Sequence, residues 1–350
     1  METQRIDSII ENLYGNELAE LLYVYKDDLI LSQPRMIFRT DGGAGDRYYY
    51  RIEEQESCNN LVFYVSTTTF TKKVLPTSPY LIQWMKEQGT EADKVRDLAA
   101  DFGTLMHIVL ADFLVNGWDF SVTREFVSKY LEKLGHHKNL ISPWTIKLNK
   151  NIASFAQFCR DYEIEPIAIE IMLGSDEMGI AGTIDLVCWM RTPEMRKSYD
   201  KELKIYEKEL KAFQDGKSNV EPVQPEYPSK VKGMGDFKSG GVHESAEMQL
   251  AINKLIFHEN FPEHKLDILF NWAPTDYRTE PTYKYVDQTD TKFDYEALTH
   301  FLYIYELLYK NEISEKKVFE FQGVIQNNGE PVSDHAFFTT LAKSLESKLS

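Results

Sequence analysis

The sequence predicts an α/β (α+β) protein with a central mixed β-sheet flanked by helices. Three observations predict it. The apolar runs IEPIAIEIML and GIAGTIDLVCWM are joined by the turn GSDEMG and read as an antiparallel strand pair. Apolar residues dominate both faces of that pair, so helices must cover at least one side. The stretch from Glu91 to Val115 carries Val95, Leu98, Phe102, Leu105, Met106, Val109 and Phe113 at helical spacing, which makes it the clearest helix in the chain.

The other elements follow in order. Residues 4–31 have apolar side chains three and four apart (Ile6, Ile9, Ile10, Leu13, Leu18, Leu21, Leu22), predicting helices broken near Gly15. RMIFRT, RYYYRI and LVFYVST then form a β-meander with turns at DGGAGD and Asn59-Asn60. This N-terminal block, residues 1–68, either caps the core or offers Tyr48, Tyr49 and Tyr50 to a ligand. TSPYLIQWMKEQG predicts a helix after Pro79 with Trp84 buried, and residues 121–163 predict one or two more. A helical insert spans about 192–232. Its stripe of Tyr199, Leu203, Tyr206, Leu210 and Phe213 is narrow and heptad-like, and PVQPEYPSK is an extended return. Because the insert joins two strands, it is expected near one edge of whatever site they carry, as a lid, an arch, a partner dock through residues 193–215, or a plain surface helix. VHESAEMQLAINKLIFHENF is a helix and LDILFNWAP a strand. Residues 276–350 are expected to be a helical region packing on the core, with helices at 294–310 and from Ser333.

Two strings carry the chemistry. AGTID ends at Asp185, and GDFKSG holds Asp236 and Lys238. Each reads as a strand ending on a carboxylate. Residues two apart on a strand share a face, so Asp236 and Lys238 point the same way and Phe237 the other. Two acids and an amine are what metal-assisted phosphodiester hydrolysis needs. The acids hold a hard divalent cation through oxygen, and the cation and amine offset charge on the phosphate. Glu170 is the only charge within IAIEIML; it serves a site there or reaches solvent or an ion pair. His107 lies with the small residues Ala100, Gly103 and Ala111, which let another backbone come close.

In this order, GTLMH with His107, IAIEIML with Glu170, AGTIDLV with Asp185, GDFKSG with Asp236 and Lys238, and QLAIN with Gln249 resemble the PD-(D/E)XK nuclease superfamily. The likeness is to the branch of RecB-like nucleases and CRISPR-adaptation exonucleases, and it covers residues 65–275. It implies a restriction-endonuclease-like core over about 69–275. It also implies a metal-dependent DNA nuclease, an exonuclease in recombination, repair or phage DNA processing, that leaves a 5′-phosphate and a 3′-hydroxyl. Asp185 and Asp236 would hold one or two Mg²⁺ or Mn²⁺ ions. The main-chain carbonyl of Phe237 and the ring of His107 would complete the metal set, and the imidazole would favour Mn²⁺. Glu170 would join the catalytic set, Lys238 would orient the attacking water, and Gln249 would hold that lysine or a DNA phosphate. The chain departs from the branch in two ways. The position four after Gln249 is Asn253 where tyrosine is common, and residues 186–235 replace a short turn. A module that keeps the fold without activity, and a nuclease active only in a larger complex, are the alternatives.

Composition sets outer limits. Cys58, Cys159 and Cys188 are far apart, without a CxxC, so a four-thiolate iron–sulfur cluster within one chain is excluded. Unclustered cysteines point to a reducing compartment, and no uninterrupted apolar run approaches the roughly 18 residues of a membrane crossing. The expectation is a soluble cytoplasmic protein of a bacterial or phage-infected cell, with no membrane partner. The net charge of −16 predicts modest non-specific DNA affinity, since phosphate neutralisation dominates such binding.

Overall fold

A computed structural model describes residues 31, 34–35, 37–41, 46–54, 59–314 and 318–321. The helices expected in 4–30 and from Ser333 lie outside these residues, as does Cys58. Among the described residues one mixed sheet runs through the molecule. Its strands are β1 (Phe38–Asp41), β2 (Arg47–Glu54), β3 (Asn59–Ser66), β4 (Glu165–Ser175), β5 (Ile180–Met190), β6 (Val231–Phe237), β7 (Ile268–Pro274), β8 (Tyr283–Asp287) and β9 (Val318–Phe321). The order is β1-β2-β3-β5-β6-β7-β8, with β4 on β5 and β9 on β3. The helices are α1 (Thr67–Val74), α2 (Pro79–Gln88), α3 (Ala92–Asn116), α4 (Thr123–Lys133), α5 (Ile141–Asp161), α6 (Pro193–Gln214), α7 (Glu244–Asn260) and α8 (Tyr295–Ser314).

The doubly apolar strand pair is explained by two cores. On one face, Phe102, Leu105 and Met106 of α3 and Phe155 and Phe158 of α5 pack with Leu186, Phe237, Phe270 and Trp272. On the other, Met248, Ile252 and Phe257 of α7 pack with Ile171, Ile184, Val187 and Met234, and Phe70 of α1 joins them. The stretch Leu81–Asn116 is long and apolar enough to cross a membrane by length and composition alone, which reading for uninterrupted runs missed. Its C-terminal part, from Phe102 to Ala111, supplies side chains of the first core.

Several expectations are corrected. Val95 of α3 is exposed, and Trp84 is only half-buried on α2, which also leaves Leu81, Ile82 and Met85 exposed. TTTFTKKV, of which only Thr67 was assigned, as the end of the strand LVFYVST, is α1; Ser66 caps it, its side chain accepting from the Thr69 amide at 2.9 Å. The region from 276, expected to be helical, also supplies β8 and β9. The N-terminal meander continues the central sheet, since β3 pairs with β5, and Tyr48, Tyr49 and Tyr50 are buried.

The topology opens a fork. β4 takes one edge of β5 from Ile180 to Trp189. On the other edge β3 pairs only with Ile180 and Ala181, and β6 only from Leu186 to Met190. Residues 182–185 are therefore free of strand partners on that edge, and elements from both faces meet there. Gly182 sits in the fork, where a Cβ would lie 2.5 Å from Asn253 Oδ1 and 3.0 Å from Thr67 Cγ2. Gly182→Ala should cost about 1–3 kcal/mol through overpacking. Thermal melts should show the loss, and Asn253→Ala should restore part of it in the double variant; additive losses would refute the clash.

The fork also relocates the insert. β5 and β6 are antiparallel with Met190 opposite Val231, and α6 leaves from that closed end. Asp185 lies five residues away, about 17 Å along the strand. The insert thus emerges away from the fork, not beside it as expected. Its stripe is half-buried, with Tyr199 packed edge-on against Tyr227 of the return segment at 5.0 Å.

Candidate metal centre

The fork gathers His107, Glu170, Asp185, Asp236, Phe237, Lys238 and Gln249. Beyond the last β5–β6 pair, Leu186 opposite Gly235, a side chain takes over from the backbone ladder. Asp185 Oδ2 accepts from the Phe237 amide at 2.5 Å. Glu170 faces Asp185 across the β4–β5 ladder, between the pairs Ile169–Leu186 and Ile171–Ile184. Its φ is 49°, in the left-handed region, which costs a non-glycine residue about 1–3 kcal/mol. The consequence is visible in the packing. Ile169 and Leu186 lie in the α3–α5 core, whereas Ile171 and Ile184 lie in the α7 core. In a regular strand residues two apart share a face. Both strands reverse their pleat at this step, which turns Glu170 and Asp185 toward α3.

From α3, His107 meets them. Its Nδ1 lies 3.0 Å from Glu170 Oε1 and 3.5 Å from Asp185 Oδ1, and its Nε2 lies 3.2 Å from the Phe237 carbonyl oxygen. Gly103, one turn before, lets the 238–243 loop approach: a Cβ there would sit 3.2 Å from Ser239 Oγ. Glu170 and Asp185 are each only 7% exposed, and burying such charges is costly unless they are paired or bind a cation. Burial pushes the Asp185 carboxyl up to about 8, with the Glu170 and Asp236 charges adding to the rise against the opposing His107 and Lys238. Burial alone would lower His107; the carboxylates of Asp185, Glu170 and Asp236 outweigh it and push the ring up to about 9.

Asp236 belongs to the other half of the site. Its Oδ1 accepts from Lys238 Nζ at 2.9 Å and its Oδ2 from Asn271 Nδ2 at 2.6 Å. Gln249 Oε1 accepts from Lys238 Nζ at 3.0 Å, and Gln249 Nε2 donates to Thr71 Oγ1 at 3.3 Å. Gln249 therefore holds the lysine, one of its two expected roles.

Among the described residues, the group able to hold a metal ion is His107, Glu170 and Asp185, whose ligand atoms lie within 4.8 Å of one another. The pair of ligands expected from the sequence was Asp185 and Asp236; in this group Glu170 lies beside Asp185, while Asp236 accepts from Lys238 and Asn271. An imidazole and two carboxylates, with the Phe237 carbonyl alongside, suit a hard or borderline divalent cation.

Asn253, where tyrosine is common in the resembling branch, is buried against Gly182 and presents nothing to solvent. Asn271 and Thr71 were missed from sequence, as was the pairing of Tyr49 with the Thr183 hydroxyl at 2.9 Å. The one available signal was Asn271, a lone amide within the apolar run LDILFNWAP. No protein-family model matches the chain, and no curated protein matches it.

Proposed function

We propose that this protein is a metal-dependent DNA nuclease with a restriction-endonuclease-like core, an exonuclease of the kind its motifs resemble. The observation that carries the reading is the pairing of two half-sites at one fork: His107, Glu170 and Asp185 on one side, Asp236 and Lys238 on the other. Structural needs alone do not call for three buried acids with a lysine and a histidine at one point in a sheet.

In this reading His107, Glu170, Asp185 and the Phe237 carbonyl hold a Mn²⁺ or Mg²⁺ ion. Bound there, the ion would polarise a phosphoryl oxygen and lower the pKa of a coordinated water. The remaining work falls to the chain's own groups. Lys238, fixed by Asp236 and Gln249, orients the attacking water and offsets charge on the phosphate. Asp236 keeps that ammonium aimed. Glu170 and Asp185, held by a strained strand and a backbone amide, need little rearrangement to ligate. Phosphates of a DNA end are the substrate groups, and the net charge of −16 predicts modest non-specific binding beyond the site.

The test is incubation with end-labelled linear DNA and closed-circular DNA in Mn²⁺. Linear DNA should be degraded and closed circles spared. Lys238→Ala should slow cleavage by about 10²–10³-fold, the cost of losing one charge-stabilising donor, while keeping the shift in melting temperature that Mn²⁺ produces. A wild-type chain inert toward both DNAs with Mn²⁺ would reject the reading. So would a Lys238→Ala variant as fast as wild type.

A further inference from the structure

Asn271 is fully buried on β7, between Phe270 and Trp272. A buried amide is costly unless both its ends are paired, about 1–3 kcal/mol in protein mutational data. Here both ends are paired. β6 and β7 run parallel with Asp236 in register with Asn271. A carboxylate only accepts, so the Asn271 Nδ2 must face Asp236 Oδ2, and it does so at 2.6 Å. That leaves the Asn271 Oδ1 to accept from Gln288 Nε2, at 3.1 Å. Gln288 is itself anchored just past β8, its amide donating to the Leu269 carbonyl at 2.8 Å.

The other Asp236 oxygen takes Lys238, which Gln249 holds in turn, and Gln249 reaches Thr71. The result is one unbroken polar chain, Gln288–Asn271–Asp236–Lys238–Gln249–Thr71. It crosses the sheet beneath the fork and enters α7 and α1. Both oxygens of Asp236 are gripped, so the carboxylate has one orientation. The grip on the lysine side is a reactive group; the grip on the other side is Asn271.

We propose that Asn271 is a positioning residue, which fixes the Asp236 carboxylate so that Lys238 is delivered to the fork in a single pose, with Gln288 fixing Asn271. This rests on the nuclease reading above. Loss of a hydrogen-bonding support behind a site group typically costs about 10- to 100-fold in activity. With Asn271→Leu, kcat at saturating Mn²⁺ should fall by about that factor, while KM for DNA stays near wild type. A variant that merely loosened the fold would shift KM and the melting temperature as well. Asn271→Asp has the same size but sets a second carboxylate against Asp236, and it should lose more. Gln288 is half-buried and its side chain bonds Asn271 rather than Asp236 or the metal group, so Gln288→Met removes only the outer link of the chain. It should give a smaller loss of kcat in the same direction, and it decides the matter if Asn271→Leu does not fold. If wild type cleaves but Asn271→Leu or, failing that, Gln288→Met keeps the wild-type kcat, the positioning role is wrong and the nuclease reading stands. If wild type itself shows no Mn²⁺-dependent cleavage, both fall.

Discussion

Asp185→Asn should abolish Mn²⁺-dependent cleavage and, at pH 8 without metal, raise the melting temperature. The two effects share one cause. Asp185 lies buried with Glu170, and the Asp236 charge also bears on it. Holding these carboxylates together in a poorly solvated place is costly, and burial is the largest reason the Asp185 carboxyl sits so far above its usual range. A neutral amide removes the desolvation cost and the repulsion from Glu170 and Asp236, and gives up the weaker opposing attraction to His107. It keeps the local structure, because the amide oxygen can still accept from the Phe237 amide, as Asp185 Oδ2 does now. Alanine would be the poorer test: it would leave that buried N–H unpaired, at about 1–3 kcal/mol. An amide ligates a divalent cation weakly, so the stabilisation a metal gives transition-state charge, several kcal/mol, should be lost. That corresponds to a rate loss above about 10³-fold. Melting curves with and without Mn²⁺, beside cleavage rates, check both halves. A less stable variant, or one that still responds to Mn²⁺ as wild type does, would contradict the account. A site that costs stability and performs chemistry is a recurrent trade.

Metal stabilisation should grow as pH rises from 6 to about 9. The signs follow from the two raised groups. Asp185 is raised from the ordinary carboxylate range to about 8, so folding takes up a proton there. Its contribution to stability is full below about pH 4 and is lost as pH climbs through 8. His107 is raised to about 9, so its contribution is full below about 6.5 and is lost through 9. The metal-free protein should therefore lose stability across this range. A bound cation displaces those protons, so its apparent affinity should rise by up to about tenfold per pH unit for each proton released. The shift in melting temperature with a fixed excess of Mg²⁺, measured at pH 6, 7, 8 and 9, reads this directly. A shift that is flat or shrinks with pH would mean the cluster holds no exchangeable protons.

The sequence disclosed the site better than its surroundings. Asp185, Asp236 and Lys238 were legible as charges on or just after apolar strands; Asp185 was read as ending its strand, but β5 runs on to Met190 and only the pairing with β6 stops at Leu186. Glu170 was legible because a lone charge in an apolar strand needs a reason. Asn271 raised the same question and went unread, since an amide draws less notice than a carboxylate. Its partner Gln288 lies beyond β8, a short strand whose residues YKYVD alternate too briefly to register against an acidic run. The division of labour between Glu170 and Asp236 was not legible at all. It depends on the pleat reversal at Glu170, a backbone event that no spacing announces. Helix α1 was hidden because threonine favours strands by propensity, and the Ser66 cap and packing in the α7 core overrode it. The insert's exit was in principle derivable. An antiparallel pair with its acids near the open end must carry its connection at the closed end.

The most direct test is where a cation goes. Crystals soaked in Mn²⁺ should give an anomalous peak at the fork, coordinated by His107, Glu170 and Asp185, with Lys238 still on Asp236 beside it. A map with no peak among those three side chains at millimolar Mn²⁺, in a protein that is folded and soaked to saturation, would contradict the account.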